Sequence, residues 1–304
     1  MKITVRVPAT SANLGPGFDC LGLALDIWAT VTVDTGGRPG RGAGPAPRLV
    51  MQGMRAACEG VGRAPEAAIS WDEAIPLARG LGASASLRAA GLLAGNALLG
   101  GVHDTDRLLE MGTKLEGFPD NMSPTLFGGL QVNVRLDADG HAAPADPRPS
   151  TSLRVLHLEA PLPAGLKVVV FVPDFEMPTQ ESRRRLPAMV SREDAVFNLS
   201  RAALLVAALG AGRYDLLDEA TQDRIHQPAR AQIFAGLVPI MAAAKDGGAA
   251  AAYLSGGGST IAAFVREGEE RVARLMTQAA VAYGFSGRSL ITRPALQGAH
   301  LVTA

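Results

Sequence analysis

The stretch Ile75–Ser86 reads IPLARGLGASAS and runs straight into a segment in which Leu87, Ala90, Leu93, Ala94 and Ala97 fall on one helical face. Gly80 and Gly82 let the backbone take positive φ and approach a ligand closely. The helix that follows presents unpaired N–H groups and the positive end of its dipole. A turn of this kind cradles an anion, and Ser84 and Ser86 add hydroxyls suited to a phosphate oxygen or a divalent cation. The pattern G-x-x-x-x-G-K-[ST] occurs nowhere in the chain, so phosphate bound here is neutralised by backbone dipoles, a metal and arginine rather than by lysine. The plain alternative is a glycine turn with Ser84 as an ordinary N-cap.

Two further segments bear on that choice. Glu116, within KLEGFPDNMSP, follows the next helical segment and sits in a turn beside Pro119. A carboxylate there suits Mg²⁺, which takes one or two protein oxygens besides phosphates and waters; Glu116 and Asp120 as water-facing loop residues are the ordinary alternative. Ser255–Thr260, SGGGST, is a second glycine-rich turn between two strands. Its glycines allow either approach to the cradle or a permissive hairpin.

Composition narrows the classes. A chain of 304 residues with 47% apolar content fits two domains or one large one. Lys+Arg and Asp+Glu are 29 each, which argues against nucleic acid or an acidic membrane as partner. Cys20 and Cys58 form neither a disulfide scaffold nor a zinc spacing. No apolar run reaches the roughly 18 residues of a membrane span, and Met1–Val7 reads as an alternating strand rather than a signal core. A soluble, cytoplasmic protein is expected.

Strands are expected at Ile3–Val7, Leu23–Val33, Gly129–Val134, Leu153–Leu158, Lys167–Val172, Ala251–Leu254 and Thr260–Val265. Helices are expected at Leu49–Glu59, Ser84–Leu99, Asp104–Lys114, Arg192–Leu209, Ala231–Ala244 and Glu269–Tyr283. Neighbouring strands that can form antiparallel hairpins make this an α+β protein. The charged, proline-rich segment Asp137–Ser150 suggests a division into residues 1–150 and 151–304, whereas Gly36–Pro47 reads as a surface loop.

Three blocks resemble the motifs of the GHMP small-molecule kinases: Pro8–Leu25 (PATSANLGPGFDCLGLAL), Pro76–Ser86 and Ser255–Thr260. Glu116–Gly129 (EGFPDNMSPTLFGG) and the pair DAVFNLSRAALLVAAL and DRIHQPAR within Asp194–Arg230 resemble the homoserine kinase branch. The resemblance implies an N-terminal domain like the second domain of ribosomal protein S5, a ferredoxin-like C-terminal α/β sandwich, and a homodimer. It also implies ATP- and Mg²⁺-dependent phosphorylation of L-homoserine to O-phospho-L-homoserine, in threonine biosynthesis.

The resemblance also implies roles. Pro76, Leu77, Ala78, Arg79, Gly80, Leu81, Gly82, Ala83, Ser84, Ala85 and Ser86 match the nucleotide-binding motif, with Arg79–Ser84 around the β- and γ-phosphates. Ser84 and Glu116 match the metal ligands. Asn13 and Asp19 match positions that hold the substrate's amino end, and Thr179, Arg183 and Arg230 match those that hold its carboxylate. Asn121 matches the residue that orients the reacting hydroxyl. Asp120 is the nearest candidate for a general base, with proton transfer to the phosphate itself as the alternative. Read alone, Asp19 can organise its own turn, Arg183 can belong to a solvated charge run, and Arg230 can cap a helix. The chain departs from the family pattern at Ala83 for serine, Phe118 for histidine and Ser259 for proline, and Arg48–Met51 offers no clear adenine-side asparagine.

Overall fold

The computed structural model describes residues 1–37, 44–137, 153–177 and 179–302, and of 179–181 the backbone alone. The order of elements begins β1 (Lys2–Ala12), β2 (Leu21–Asp34), α1 (Pro45–Cys58), β3 (Ala68–Trp71), α2 (Ala83–Leu98) and α3 (Thr105–Glu116). It continues through α4 (Met122–Phe127), β4 (Leu130–Leu136), β5 (Arg154–Ala160), β6 (Lys167–Pro173), α5 (Thr179–Arg184) and α6 (Arg192–Gly210). A single 3₁₀ turn precedes α7 (Leu217–Ala220), followed by α8 (Gln227–Ala231) and α9 (Leu237–Asp246). The chain closes with β7 (Ala251–Leu254), β8 (Ile261–Val265), α10 (Glu269–Ala282), β9 (Gly287–Thr292) and β10 (His300–Leu301).

The first sheet has the order β10-β1-β2-β4-β5, with β3 also paired to β2, and its pairings are antiparallel. In β1 the burial alternates from Lys2 to Val7, as expected of a sheet with one wet face, and becomes continuous from Val7 to Ala12. The register of β1 on β2 shifts between Pro8 and Ala9, where proline lacks the ladder donor. Past that bulge the strand enters the interior and delivers Thr10 and Asn13 to the cavity region.

The second sheet, β7-β8-β6-β9, is also antiparallel and carries α9 and α10. Its β-α-β-β-α-β order is the ferredoxin-like arrangement. The central strand β6, KVVVFVP, is buried almost throughout because both neighbours and both faces cover it. Val168, Val170, Tyr253 and Phe264 pack in one cluster with Val5, Leu23 and Leu87, so a shared core joins the two sheets.

The α+β class holds. The expected division at residue 150 lies in 138–152, outside the described residues, and sheet membership does not follow it: β5 and β10 both belong to the first sheet. The helix expected at Ala231–Ala244 is observed only from Leu237, as α9: Ala231 closes α8, and residues 232–236 between the two are not helical. The additional elements β3, α4, α5, α7, α8 and β10 are too short to show a period. β9 is an edge strand with a half-exposed, mixed pattern. Among the described residues, no helix is long and apolar enough to cross a membrane.

Candidate active site

One cavity lies where the first and second sheets meet, between the Asn13–Asp19 loop, the turn into α2, the α3–α4 turn and α5. Gly82 stands immediately before α2 with φ 68°, and Gly80 has φ 78°. A side chain on Gly82 would strike Thr10 Oγ1, and one on Gly80 would strike the Ser255 carbonyl oxygen. The turn therefore requires glycine for conformation and for space alike. The helix begins at Ala83, so Ser84 lies in its first turn and is not the N-cap.

The glycine turn Ser255–Thr260 does approach the cradle. Ser255 Oγ donates to Gly80 O at 2.6 Å, and Thr260 N donates to Arg79 O at 2.9 Å. Arg79 Nη1 donates to Pro173 O at 2.6 Å, tying the turn to the end of β6. Ala78, Arg79, Gly80 and Gly82–Ala85 line the cavity, whereas Pro76, Leu77, Leu81 and Ser86 do not. Leu81 is buried in the core, and Ser86 Oγ donates inward to Pro8 O at 2.8 Å. Its hydroxyl is thereby withdrawn from any ligand, which corrects the expectation drawn from its position in the motif.

Ser84 Oγ donates to Glu116 Oε1 at 2.7 Å across the α2–α3 gap, and both residues line the cavity. A hydroxyl and a carboxylate suit a hard divalent cation, and their spacing is within a few tenths of an ångström of the roughly 3.0 Å between adjacent ligands of an octahedron with about 2.1 Å bonds. The residues present fit Mg²⁺. Arg88 also bonds to both oxygens.

Asp120 is 7% exposed and accepts from Asn121 N at 2.9 Å. Burial first, then the charge of Asp19, pushes its carboxyl up to about 7, against the opposing pull of Arg183. Asn121 Nδ2 leans on the same carboxylate oxygen at 3.3 Å, and its Oδ1 accepts from Thr10 Oγ1 at 2.7 Å. The amide is thus fixed in orientation beside the acid.

The opposite wall carries the charges expected to bind an amino acid. Asn13, Leu14 and Asp19 have φ of 70°, 50° and 60°, a run of left-handed residues that the surrounding contacts must hold in place. Asn13 Nδ2 donates to Gly256 O at 2.9 Å, and Asn13 Oδ1 accepts from Asp19 N at 3.0 Å. Asn13 therefore borders the cavity while using its amide to hold the loop. Arg183 forks onto Asp19 and lies 3.9 Å above the Phe118 ring. Phe118 thus serves as a cation–π platform for Arg183.

Arg230 is 1% exposed. Its Nε donates to Ser182 Oγ at 2.7 Å, and its Nη1 to His226 Nδ1 at 2.6 Å and Gly256 O at 3.1 Å. Burial and the neighbouring charge of Arg183 bring it down to about 10, still a cation at neutral pH. His226 Nε2 donates to Gly15 O at 2.7 Å, which leaves Nδ1 to accept from Arg230. Burial holds this imidazole down at about 4, in its neutral form. The side chain of Thr179 lies outside the described residues, although its backbone opens α5.

Asn13, Asp19, Ser84, Glu116, Asp120, Asn121, Arg183 and Arg230 all border this one cavity. Sequence reading passed over Thr10, Ser182 and His226, which hold Asn121 and Arg230 in place, and Arg88. His226 stands in the quoted DRIHQPAR, four residues before Arg230 on what becomes one helical face, and that spacing was the available signal. Ser182 and Thr10 offered none, being ordinary hydroxyls whose partners are distant in the chain.

Comparisons with known proteins give the family. Residues 48–129 match the sequence model of the GHMP kinases N terminal domain, and residues 205–281 match that of the GHMP kinases C terminal domain. The chain is 40% identical to homoserine kinase of Moorella thermoacetica over 285 residues, covering 90% of this chain and 91% of the relative. It is 37% identical to homoserine kinase of Desulfitobacterium hafniense over 315 residues, covering 99% and 100%. The crystal structure of homoserine kinase from Cytophaga hutchinsonii superposes with a TM-score of 0.83 at 28% identity, covering 99% of this chain and 97% of that one.

Proposed function

This chain belongs to the homoserine kinases of the GHMP kinase family, and we propose that its cavity transfers the γ-phosphoryl group of ATP to the side-chain hydroxyl of L-homoserine. The products are O-phospho-L-homoserine and ADP, on the route to threonine. One observation supports the reading above the others: the lysine-free glycine turn before α2, the buried Asp120 and the charges of Asp19, Arg183 and Arg230 border a single cavity.

The N–H groups at the start of α2 receive the phosphates, with the positive end of the helix dipole behind them. Ser84 and Glu116 would hold Mg²⁺, and a divalent cation there would supply positive charge to offset that of the phosphates. Asp19 takes the ammonium of homoserine, and Arg183 and Arg230 take its carboxylate. Asn121, held by Thr10, orients the hydroxyl. Asp120 accepts its proton, and an acid near pH 7 suits that task. Phosphoryl transfer asks little covalent chemistry of the protein, so most of the acceleration comes from positioning and charge.

The departures from the family pattern are compatible with catalysis. Ala83 removes one hydroxyl, but Ser84 keeps the one that meets Glu116. Phe118 supports Arg183 in place of a hydrogen-bond donor. A homodimer in the cytoplasm belongs to the same proposal, with light scattering of the purified chain as its test for assembly.

A coupled ADP-release assay with homoserine, serine, threonine and mevalonate tests the activity. Homoserine alone should turn over efficiently. Preferred turnover of mevalonate would move the chain to another branch of the family, and no turnover with any of the four would leave a binding protein.

A further inference from the structure

Arg88 lies one turn beyond Ser84 on the same face of α2. Its Nη1 donates to Ser84 Oγ at 2.8 Å and pairs with Glu116 through the same Oε1 that accepts the Ser84 hydroxyl. Its Nε donates to Gln52 Oε1 on α1 at 3.1 Å. Ser84 and Glu116 border the cavity and Arg88 does not, so the guanidinium reaches the pair from the α1 side. Arg88 and Glu116 are 15% and 17% exposed, a site where solvent screens charge only in part. No kinase motif quoted above includes this arginine.

The same contact acts in opposite directions on the carboxylate and on a metal. It fixes Glu116 and Ser84 side by side, which favours a metal ion modestly by ordering them in advance. It also sets a permanent positive charge a few ångströms from any cation that these oxygens hold. Repulsion between a dication and a guanidinium at that separation outweighs the ordering of one carboxylate. We propose that Arg88 is a positioning residue that keeps Ser84 and Glu116 together as a neutralised pair and excludes free divalent metal. Metal then enters only with the nucleotide, whose phosphate charges outweigh the guanidinium. The inference rests on the reading of Ser84 and Glu116 as the metal pair.

Mn²⁺ binding, read from the electron paramagnetic resonance signal of the free ion, tests this without turnover. In the absence of nucleotide, Arg88→Met and Arg88→Gln should bind Mn²⁺ at least about tenfold more tightly than the wild type, whereas Arg88→Lys, which keeps the charge, should stay within about threefold of it. Arg88→Gln preserves hydrogen bonding to the pair and serves if the methionine variant folds poorly. With a non-hydrolysable ATP analogue present, the wild type should take up Mn²⁺ readily. Equal nucleotide-free affinities across all four proteins, or a lysine variant that behaves like the methionine one, would overturn the role of Arg88 alone. Failure of every form to bind Mn²⁺ even with the analogue would remove the metal pair itself.

Discussion

Arg183 donates from Nη1 to Asp19 Oδ2 at 3.0 Å and from Nη2 to Asp19 Oδ1 at 2.7 Å. Two residues assigned to opposite ends of an amino acid are thus closed on each other before ligand arrives. In the proposed reading, an incoming ammonium gives Asp19 a new cation and an incoming carboxylate gives Arg183 a new anion, so the exchange leaves no charge unpaired. A molecule with only one of these groups would strand a partner in a partly buried site.

Arg183→Ala should therefore raise the KM for homoserine by about a hundredfold, with a much smaller fall in kcat. Arg183→Lys should fall between the two, since a point charge replaces the fork. 4-Hydroxybutyrate, which lacks the ammonium, should be a poor substrate for the wild type. Steady-state kinetics at saturating ATP decide; a KM unmoved by loss of Arg183 removes the amino-acid reading.

As the proposed proton acceptor, Asp120 should link rate to pH as well as to stability. With its carboxyl pushed up to about 7, kcat/KM should fall about tenfold per pH unit on the acid side of that value. Asp120→Asn should abolish this limb and lower kcat by about a hundredfold or more. The stability effect has the opposite sense. Between about pH 4 and 7 the native acid keeps a proton that the unfolded chain has released, so stability from this group is complete at low pH and lost as pH rises. Asp120→Asn should melt several degrees above the wild type at pH 8, and the gain should shrink steadily on acidification to nothing below about pH 4.

His226 titrates in the reverse direction. Its folded form stays neutral down to about 4, while the unfolded imidazole protonates near the ordinary value of about 6.5. Stability from this group is complete above pH 6.5 and is lost as pH falls toward 4. His226→Gln should flatten that acid loss. Asp120→Asn should steepen it, because the opposing contribution is gone. Denaturant midpoints across pH 4–7 test both slopes.

Glu116 tests the metal pair. Glu116→Gln, which keeps the shape and the hydrogen bonds, should lower Mg²⁺-dependent turnover by about a hundredfold with little change in the thermal midpoint. Glu116→Ala should also cost about 1–3 kcal/mol of stability, because the Ser84 hydroxyl and Arg88 then lose the oxygen that accepts from both. Full activity in the glutamine variant would discard the assignment.

Gly82→Ala places a methyl group against Thr10 Oγ1 and forces an L-residue into the left-handed region, at about 1–2 kcal/mol for the backbone alone. Nucleotide affinity should collapse, since the first turn of α2 and the Thr10–Asn121 bond must shift together. Titration with a fluorescent ATP analogue would reveal it; unchanged affinity would place the phosphates elsewhere.

Much of the fold could be read in advance because its signals are local. The apolar stripe of α2, the alternation in β1 and the unbroken apolar run of β6 each follow from a period along the chain. Gly80 and Gly82 announced a turn with positive φ because few other residues adopt it cheaply. The short α4, α5 and α8 left no period to detect, and β10 is only two residues that β1 recruits from the far end of the chain. Within the site, residue types and motifs located the cradle, the acid and the charges, but not their partners.

What the amino-acid order determined by itself was the inventory and the local bends: an α+β chain, a glycine turn feeding a helix, and the carboxylates and arginines available for chemistry. Only the tertiary structure decided the directions of the side chains. It turned Ser86 inward to Pro8, brought Thr10 to Asn121 and Arg88 to Glu116, and left His226 neutral between Gly15 and Arg230. The physical reason is range: backbone conformation responds to the nearest few residues. A buried side chain instead takes its rotamer and its protonation from groups that packing brings beside it from remote parts of the chain.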